Sequence, residues 1–575
     1  MGKLPEPFFA RAEVLRSIEQ LGSSQDLAII AGAGVGVQAR LPKWRDLVER
    51  LLTSAIARNA SLADDAHELA ASIIDHEGLI ASATLASTVL GSTGGASAPG
   101  LAEAIHEVLY VGHDGSLVIP RPGSIAVAIA RAQARWGAVH LKIATTNYDL
   151  LIEQALTELI DREKRRVATA KSRVVEEAPK YPRLAEMKRV VPIVKRDTPT
   201  APTTVPVWHL HGVVGPNRKP TKKPILTESD YHQSSSERGW QQRLVEHWLG
   251  ERAVLFIGAS LTDPDLLRTL FSSAADRRAG RPIVALLPRT RRHVEPDQPM
   301  ACDEREAEHE RLSVERWRSV GVTALYFDYH FQSAQFLTEA TRVQARFQDR
   351  AGRRGVLSTS ALSATSYCDR LGSWYEGYCR ERLGFEPSEP YSLRQQSFAA
   401  TQPQLTEVLS QAVGAIHSEL DKWGRPDVAE DLSLHVWSRY PPERALAMTG
   451  ASDRSWTSLS AVNRKALWHR SRFLAVSAFT EGRWMRRSDG EDVGHLGYQL
   501  AVPIELGAGE WHHLPVGVIT LSSTASQDRS VMGDLSEDHF DDLIRYLQRI
   551  GQRFLDPTQQ LAGNAVAAEH STVRR

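Results

Sequence analysis

Short apolar runs alternating with helical periodicity organise the first part of the chain. Leu27-Ala-Ile-Ile-Ala31, Val139–Ala144, Val205–Leu210, Ala253–Gly258, Pro282–Leu287 and Val322–Phe327 are each too short for a helix and bounded by turn residues. That is the pattern of strands buried on both faces. Between them the spacing predicts helices over Trp44–Ala57, Leu150–Arg165, Gln241–Leu249 and Glu304–Val320, after an amphipathic helix within 5–25 that ends near Gly22. Strands alternating with helices imply right-handed crossovers and an α/β class with a parallel sheet. Two inserts interrupt the alternation: a largely helical one over 60–135, and one over 160–200 rich in Lys and Arg. The second reads as a solvated helix face or as a lid or oligomer contact over a cleft.

The rhythm changes after Ala351. Residues 351–366 are small and polar, the pattern of a linker, and 367–424 read as a helical connector. Strand-like segments follow at Leu432–Ser438 and Arg472–Phe479, then Gly497–Leu506 and Leu514–Ser522, the last two parted by a turn-rich stretch that predicts an antiparallel hairpin. An amphipathic helix over Glu537–Leu555 closes this region. The expected organisation is therefore a first domain over 1–350, a linker, the connector, a smaller α+β domain over 425–556 and a disordered tail over 557–575.

Composition narrows this picture by exclusion. A chain of 575 residues exceeds what one core supports, which agrees with two domains. Lys plus Arg equals Asp plus Glu, 69 against 69, so no global field favours nucleic acid or a membrane surface. Three cysteines (Cys302, Cys368, Cys379) fit a reducing compartment and lack the grouping of a structural zinc site. The N-terminus has no signal-peptide core, and no apolar run reaches the ~20 residues that span a bilayer. A cytoplasmic location is expected.

Chemistry gathers at the ends of the apolar runs. Gly32-Ala-Gly-Val-Gly36 leaves the first one, where a tight turn can present backbone N–H groups, and the next helix's positive end, to a pyrophosphate. The dinucleotide fingerprint of dehydrogenases would put its third glycine at Val37, so that assignment fits poorly. Thr145-Thr-Asn-Tyr-Asp149 follows the second run, at a carboxyl end where open α/β sheets bind ligands. Asn147 and Asp149 are also the residue types that cap a helix. Trp208-His-Leu-His-Gly212 offers two histidines of period two, with no third metal ligand in view. A histidine titrates near neutrality and can take a proton from a hydroxyl. Phe256–Asp265 brings Gly258 and Ser260, with Asp263 placed to N-cap a helix starting at Pro264.

In this order the segments resemble the NAD-binding core of the sirtuin (silent information regulator) superfamily over roughly residues 10–340. The resemblance implies a Rossmann-like, sirtuin-like parallel sheet with helical inserts. It places Gly32, Ala33, Gly34, Trp44, Arg45, Gly258 and Ser260 against NAD, Asn147 and Asp149 as catalytic contacts to the nicotinamide ribose and nicotinamide, and His211 as the catalytic histidine. His209 is then structural or supports its neighbours. The chain departs from the family at Gly36, where a serine is usual, and at Arg40, where a glycine is usual. The Cys-x-x-Cys pairs of deacylating sirtuins are absent from the sequence. It is similar instead to zinc-free sirtuin-like domains of bacterial anti-phage effectors, which cleave NAD to nicotinamide and ADP-ribose.

That likeness implies NAD as substrate, no metal, a gated abortive-infection role and a homo-oligomer. It implies as trigger or partner a phage protein, a small-molecule signal or a short prokaryotic Argonaute. Protein deacylation and non-catalytic NAD or ADP-ribose binding remain the alternatives. Leu500–Leu506 and Pro515–Leu521 resemble the central strands of GAF sensor domains, and a structural or dimerising domain without ligand is the other reading. Trp437, Trp468, Trp484 and Trp511 are candidates to line a pocket or to fill its core.

Overall fold

The computed structural model describes residues 7–58, 60–92, 101–112, 115–171, 182–195, 198, 201–216, 224–236, 239–274, 280–289, 299–352, 367–423, 430–441, 445–452, 464–467, 473–488, 497–506, 514–525, 530–533, 535–559 and 561. They divide into two compact units. The larger comprises Ala12–Phe327 and Gln332–Leu357, and the second comprises Met1–Arg11, Asp328–Phe331 and Ser358–Arg575. The expectation of one continuous first domain over 1–350 therefore differs from this division by two short segments. Their aromatic side chains explain why. Phe9 lies 4.3 Å from the Tyr367 ring, and Phe331 packs 5.0 Å from Phe479 with the Arg439 guanidinium 5.6 Å above it. Nearly all of the expected linker and tail, 353–366 and 562–575, lies outside the described residues.

Seven parallel strands form the larger unit's sheet: β1 (Leu27–Ala31), β2 (Leu141–Thr145), β3 (Arg189–Ile193), β4 (Thr204–His209), β5 (Ala253–Ile257), β6 (Ile283–Pro288) and β7 (Thr323–Phe327). Their spatial order is β3-β4-β2-β1-β5-β6-β7. Six of them lie within a residue or two of the apolar runs. All five residues of β1 are fully buried, as a central strand covered on both faces requires. Burying each of its large aliphatic side chains contributes about 1.5–3 kcal/mol. The chain lays β2 on one side of β1 and later β5 on the other, so the order reverses at β1. Ligands of open α/β sheets bind outside the carboxyl ends of the strands at such a point.

The helices Trp44–Ala57, Leu151–Lys171, Trp240–Glu251 and Pro299–Ser319 fall where the periodicity puts them. The 60–135 insert is helical through Ala66–Glu77, Leu79–Ser92, Leu101–Tyr110 and the start of Ser124–His140. In the basic insert, the Leu151–Lys171 helix extends past its expected end and β3 appears as an edge strand, while residues 172–181 lie outside the described ones.

The second unit carries an antiparallel sheet of β8 (Leu432–Tyr440), β9 (Ala445–Ala451), β10 (Arg464–Ala466), β11 (Met485–Ser488), β12 (Tyr498–Leu506) and β13 (Leu514–Ser523), in the order β10-β9-β8-β13-β12-β11. The expected hairpin is β12 with β13. The segment 472–479, expected as a strand, is instead the helix Leu474–Glu481. Its apolar run packs with Trp437, Leu446 and Val518 in a single core cluster. One residue before Val518, a Cβ on Gly517 would lie 2.8 Å from Leu555 of the helix Glu537–Leu555, so the two helices cover opposite faces of the sheet. Trp437 is core, its indole N–H donating to Thr520, and Trp484 packs 4.9 Å from Phe540. Trp468 and Trp511 lie outside the described residues. Among the described residues no helix is long and apolar enough to cross a membrane.

Candidate active site

The segments that leave β2 and β4 run side by side. Thr145 pairs with His209 in register, Leu210 N–H donates to the Thr145 carbonyl at 2.8 Å, and Val214 N–H donates to that of Tyr148 at 2.8 Å. Asn147 and His211 are each two residues past the paired position, at matching places beyond neighbouring strands. Gly212, at φ +90°, then turns the chain in a conformation that side chains resist.

Asn147 is 7% exposed. Its N–H donates to Thr145 Oγ1 at 3.0 Å, and its carbonyl accepts from His209 Nδ1 at 3.0 Å. Among the described residues its carboxamide has no hydrogen-bond partner, and it is not one of the fully enclosed unpartnered groups, so a ligand or water can reach it. The backbone is pinned and the side chain is left available.

His209 does the pinning. Its side chain is fully buried, with Nδ1 toward the Asn147 carbonyl and Nε2 2.6 Å from Glu153 Oε1. Both ring nitrogens therefore face acceptors, which favours the doubly protonated imidazole. Burial opposes that charge, but Glu153, the Asn147 carbonyl and Asp149 outweigh it and hold the pKa above its ordinary value. The supporting role expected for His209 is the one its contacts describe.

Asp149 is buried and accepts from Leu151 N–H at 3.0 Å, capping the Leu151–Lys171 helix. Burial pushes its carboxyl up to about 6; Glu153 adds to this, while the Leu151 N–H and His209 pull the other way. Tyr110, whose hydroxyl donates to the Val214 carbonyl at 3.0 Å, is pushed up by burial and by the same two carboxylates.

His211 is 6% exposed, with Nε2 3.3 Å from Asp263 Oδ2 and its ring edge-on to Tyr231 at 5.6 Å. Asp263 has two tasks. Oδ1 accepts from Leu266 N–H at 2.9 Å, the cap expected before Pro264, while Oδ2 accepts from the Tyr231 hydroxyl at 3.0 Å and faces His211. Sequence reasoning saw the cap and missed the histidine, which comes from another strand. Nothing local marks Tyr231 at all.

The glycine loop departs from expectation. Gly32 N–H donates to the Ile257 carbonyl, Gly34 N–H to that of Gly258, Val35 N–H to Gly32 and Gly36 N–H to Ala33. Of residues 32–36, only Ala33 keeps its N–H without a backbone acceptor among the described residues, so the loop offers one donor rather than a row. Its glycines serve loop-on-loop packing. A Cβ on Gly34 would lie 2.7 Å from Gly258 Cα, and one on Gly258, at φ +66°, would lie 2.7 Å from Val35 N. Nor does a helix follow directly. Two short 3₁₀ turns, Ala33–Val35 and Val37–Ala39, intervene before Trp44–Ala57 begins.

Arg40 closes the second turn at φ 63°, the left-handed geometry that the family's glycine would adopt freely. Trp44 is half-buried, and Arg45, beside it, is exposed and hydrogen-bonds Asp75 at 2.6 Å. Ser260 is exposed at the end of β5 and shares a hydrogen bond with Thr262 at 2.6 Å. Next to it, buried Leu261 takes φ 55°, a strained geometry for a branched residue beside a site. The structure thus places Gly32, Ala33, Gly34, Gly258 and Ser260 at the ends of β1 and β5, with Asn147, Asp149 and His211 at the ends of β2 and β4. Trp44 and Arg45 begin a helix further along.

Among the described residues no three His, Cys, Asp or Glu side chains are grouped as a metal site would need. A search of curated proteins finds no match to the chain. Residues 141–314 match the family model described as the SIR2-like domain, from the start of β2 into the helix Pro299–Ser319. The matched stretch contains Asn147, Asp149, His211, Gly258 and Ser260 and leaves the glycine loop outside. SIR2-like domains bind NAD, and NAD-using chemistry is what such a domain brings. The larger unit, with its parallel sheet and this match, is a Rossmann-like fold of the sirtuin-like kind.

Proposed function

We propose that the larger unit is an NAD glycohydrolase. Water adds to the ribose carbon that bears nicotinamide as the nicotinamide–ribose bond breaks, giving nicotinamide, ADP-ribose and one proton. The observation that carries this reading is the unpartnered carboxamide of Asn147, two residues past β2, with His211 at the matching place past the neighbouring strand β4, both within the SIR2-like match. Asn147 holds the water or a ribose hydroxyl, and His211 takes a proton. Asp149 and Glu153 place negative charge near the carbon that becomes oxocarbenium-like. At the far end of the cleft, Ala33 N–H and Ser260 meet the diphosphate and adenosine.

The regulatory half of the proposal rests on the resemblance to anti-phage effectors and on the presence of a second folded unit. In it the protein is a gated, oligomeric abortive-infection enzyme. The six-stranded unit is its GAF-like sensor or dimerising module, and a phage protein, a small molecule or a short Argonaute releases the activity.

The test uses full-length protein incubated with NAD, with and without lysate of phage-infected cells, following nicotinamide. Release that Asn147→Ala and His211→Ala each abolish, with folding intact, supports the assignment. Release at the parental rate from both variants overturns it. An acetyl-lysine peptide in parallel reactions separates hydrolysis from deacylation, because a deacylase releases nicotinamide only when the peptide is present.

A further inference from the structure

We infer that Asp263 is the positioning residue of His211, fixing which ring nitrogen carries the proton and so which one acts as the base; this rests on the hydrolase reading above. Asp263 Oδ2 lies 3.3 Å from His211 Nε2 and already accepts from the Tyr231 hydroxyl at 3.0 Å. An ionised carboxylate accepts and cannot donate, so the contact is favourable when Nε2 carries hydrogen. That leaves the lone pair on Nδ1, which has no hydrogen-bond partner among the described residues. The ring can turn little, because it is 6% exposed and bordered by Tyr231 edge-on. At 3.3 Å the two groups are at ion-pair distance without the alignment of a hydrogen bond, and contacts of this kind often tighten only when substrate binds.

The carboxylate is fixed independently of the histidine. Its other oxygen caps the Pro264–Ser272 helix through Leu266 N–H at 2.9 Å, and the preceding turn holds Leu261 at φ 55°. A group tied down this way costs little reorganisation when it orients another. During the reaction a ribose hydroxyl gives its proton to Nδ1 and takes one back from the water that adds as nicotinamide leaves; the resulting imidazolium faces the Asp263 carboxylate and then releases its proton to solvent. No further reactant is needed.

Two variants separate this role from the cap. Asp263→Asn and Asp263→Ser both retain an oxygen that can cap Leu266, and both remove the carboxylate. The expected result is a fall in kcat for nicotinamide release of about 10²–10⁴-fold with KM for NAD within a few-fold. A kcat within about threefold of the parent in either variant, where His211→Ala is inactive, overturns the inference.

The tautomer is read separately from activity by ¹⁵N NMR of histidine-labelled full-length protein, with the His211 ring assigned by its loss in His211→Gln. Hydrogen on Nε2 in the parent and on Nδ1 in Asp263→Asn is expected. A parental ring with unprotonated Nε2 overturns the inference. If the parent releases no nicotinamide in any condition, the hydrolase reading fails while the tautomer measurement still decides the role of Asp263.

Discussion

Replacing Asp149 by asparagine should stabilise the protein at neutral and alkaline pH, by an amount that shrinks on acidification. The carboxyl is buried and pushed from 3.8 up to about 6. The folded state therefore holds the proton more tightly than the unfolded chain. Below about pH 4 both states are protonated and the group costs nothing. As pH rises toward 6 the unfolded chain ionises first, and stability falls. Above 6 the full cost is present: roughly two pKa units, or about 3 kcal/mol.

Asparagine is nearly isosteric, keeps an oxygen to cap Leu151 and carries no charge, so it removes that cost. For a unit of about this size, 3 kcal/mol corresponds to a rise in Tm of roughly 4 °C. The assay is thermal unfolding of parent and Asp149→Asn from pH 5 to pH 8, followed by tryptophan fluorescence. By pH 5 about half of the gain should remain. A Tm difference that does not change across this range, or a variant less stable than the parent at pH 8, would refute the electrostatic argument. The same variant should lose nicotinamide release, the exchange of stability for activity common at strained sites.

Substitutions at three further sites probe the frame around the site. His209→Gln removes the cation from a buried pair and leaves Glu153 uncompensated, so it should cost about 3–5 kcal/mol, and Glu153→Gln added to it should restore much of the loss, read from the midpoints of chemical unfolding. Because the His209 pKa is raised, the pair's contribution is complete below about pH 6.5 and is lost as pH climbs through the higher folded value. Gly258→Ala should cost about 2–4 kcal/mol, since a Cβ there lies 2.7 Å from Val35 N at φ +66° and the Gly34 loop cannot yield. By contrast Arg40→Gly should stabilise by up to about 1 kcal/mol and Arg40→Val should destabilise by about 1–2 kcal/mol, because only the left-handed φ of 63° separates them; equal Tm values for the two would remove that explanation.

Much of the frame was legible because burial on both faces leaves a continuous apolar run, and the central strands carry such runs. The errors sit where that signal is absent or ambiguous. Edge strand β3 reads Arg189-Val-Val-Pro-Ile193, an exposed first residue and an internal proline set in a basic stretch. Strand β9, Ala445–Ala451, interleaves three alanines and a glycine with Leu446, Met448 and Thr449, so its strand signal is weak and has no polar alternation. The helix Leu474–Glu481 is a short apolar run on a buried face, which periodicity cannot distinguish from a strand.

At the site, the same limit separates what chain order reveals from what only tertiary contact does. Asn147 and His211 were visible because each lies just past a strand end. Asp263 was visible only as a cap, since its second oxygen meets a histidine more than fifty residues away in the chain. The contacts also reassign purpose. The glycines that resemble a diphosphate cradle spend most of their N–H groups holding the loops after β1 and β5 together. The acidic groups Asp149, Glu153 and Asp263, against one buried histidine cation, give the ends of β2 and β4 a negative balance. A bond that breaks toward a cationic ribose suits that end, and an anionic diphosphate suits the end where Ala33 N–H remains free among the described residues. On the proposed reading, that polarity directs the nicotinamide end of NAD toward Asn147 and His211 and its diphosphate toward the glycine loop.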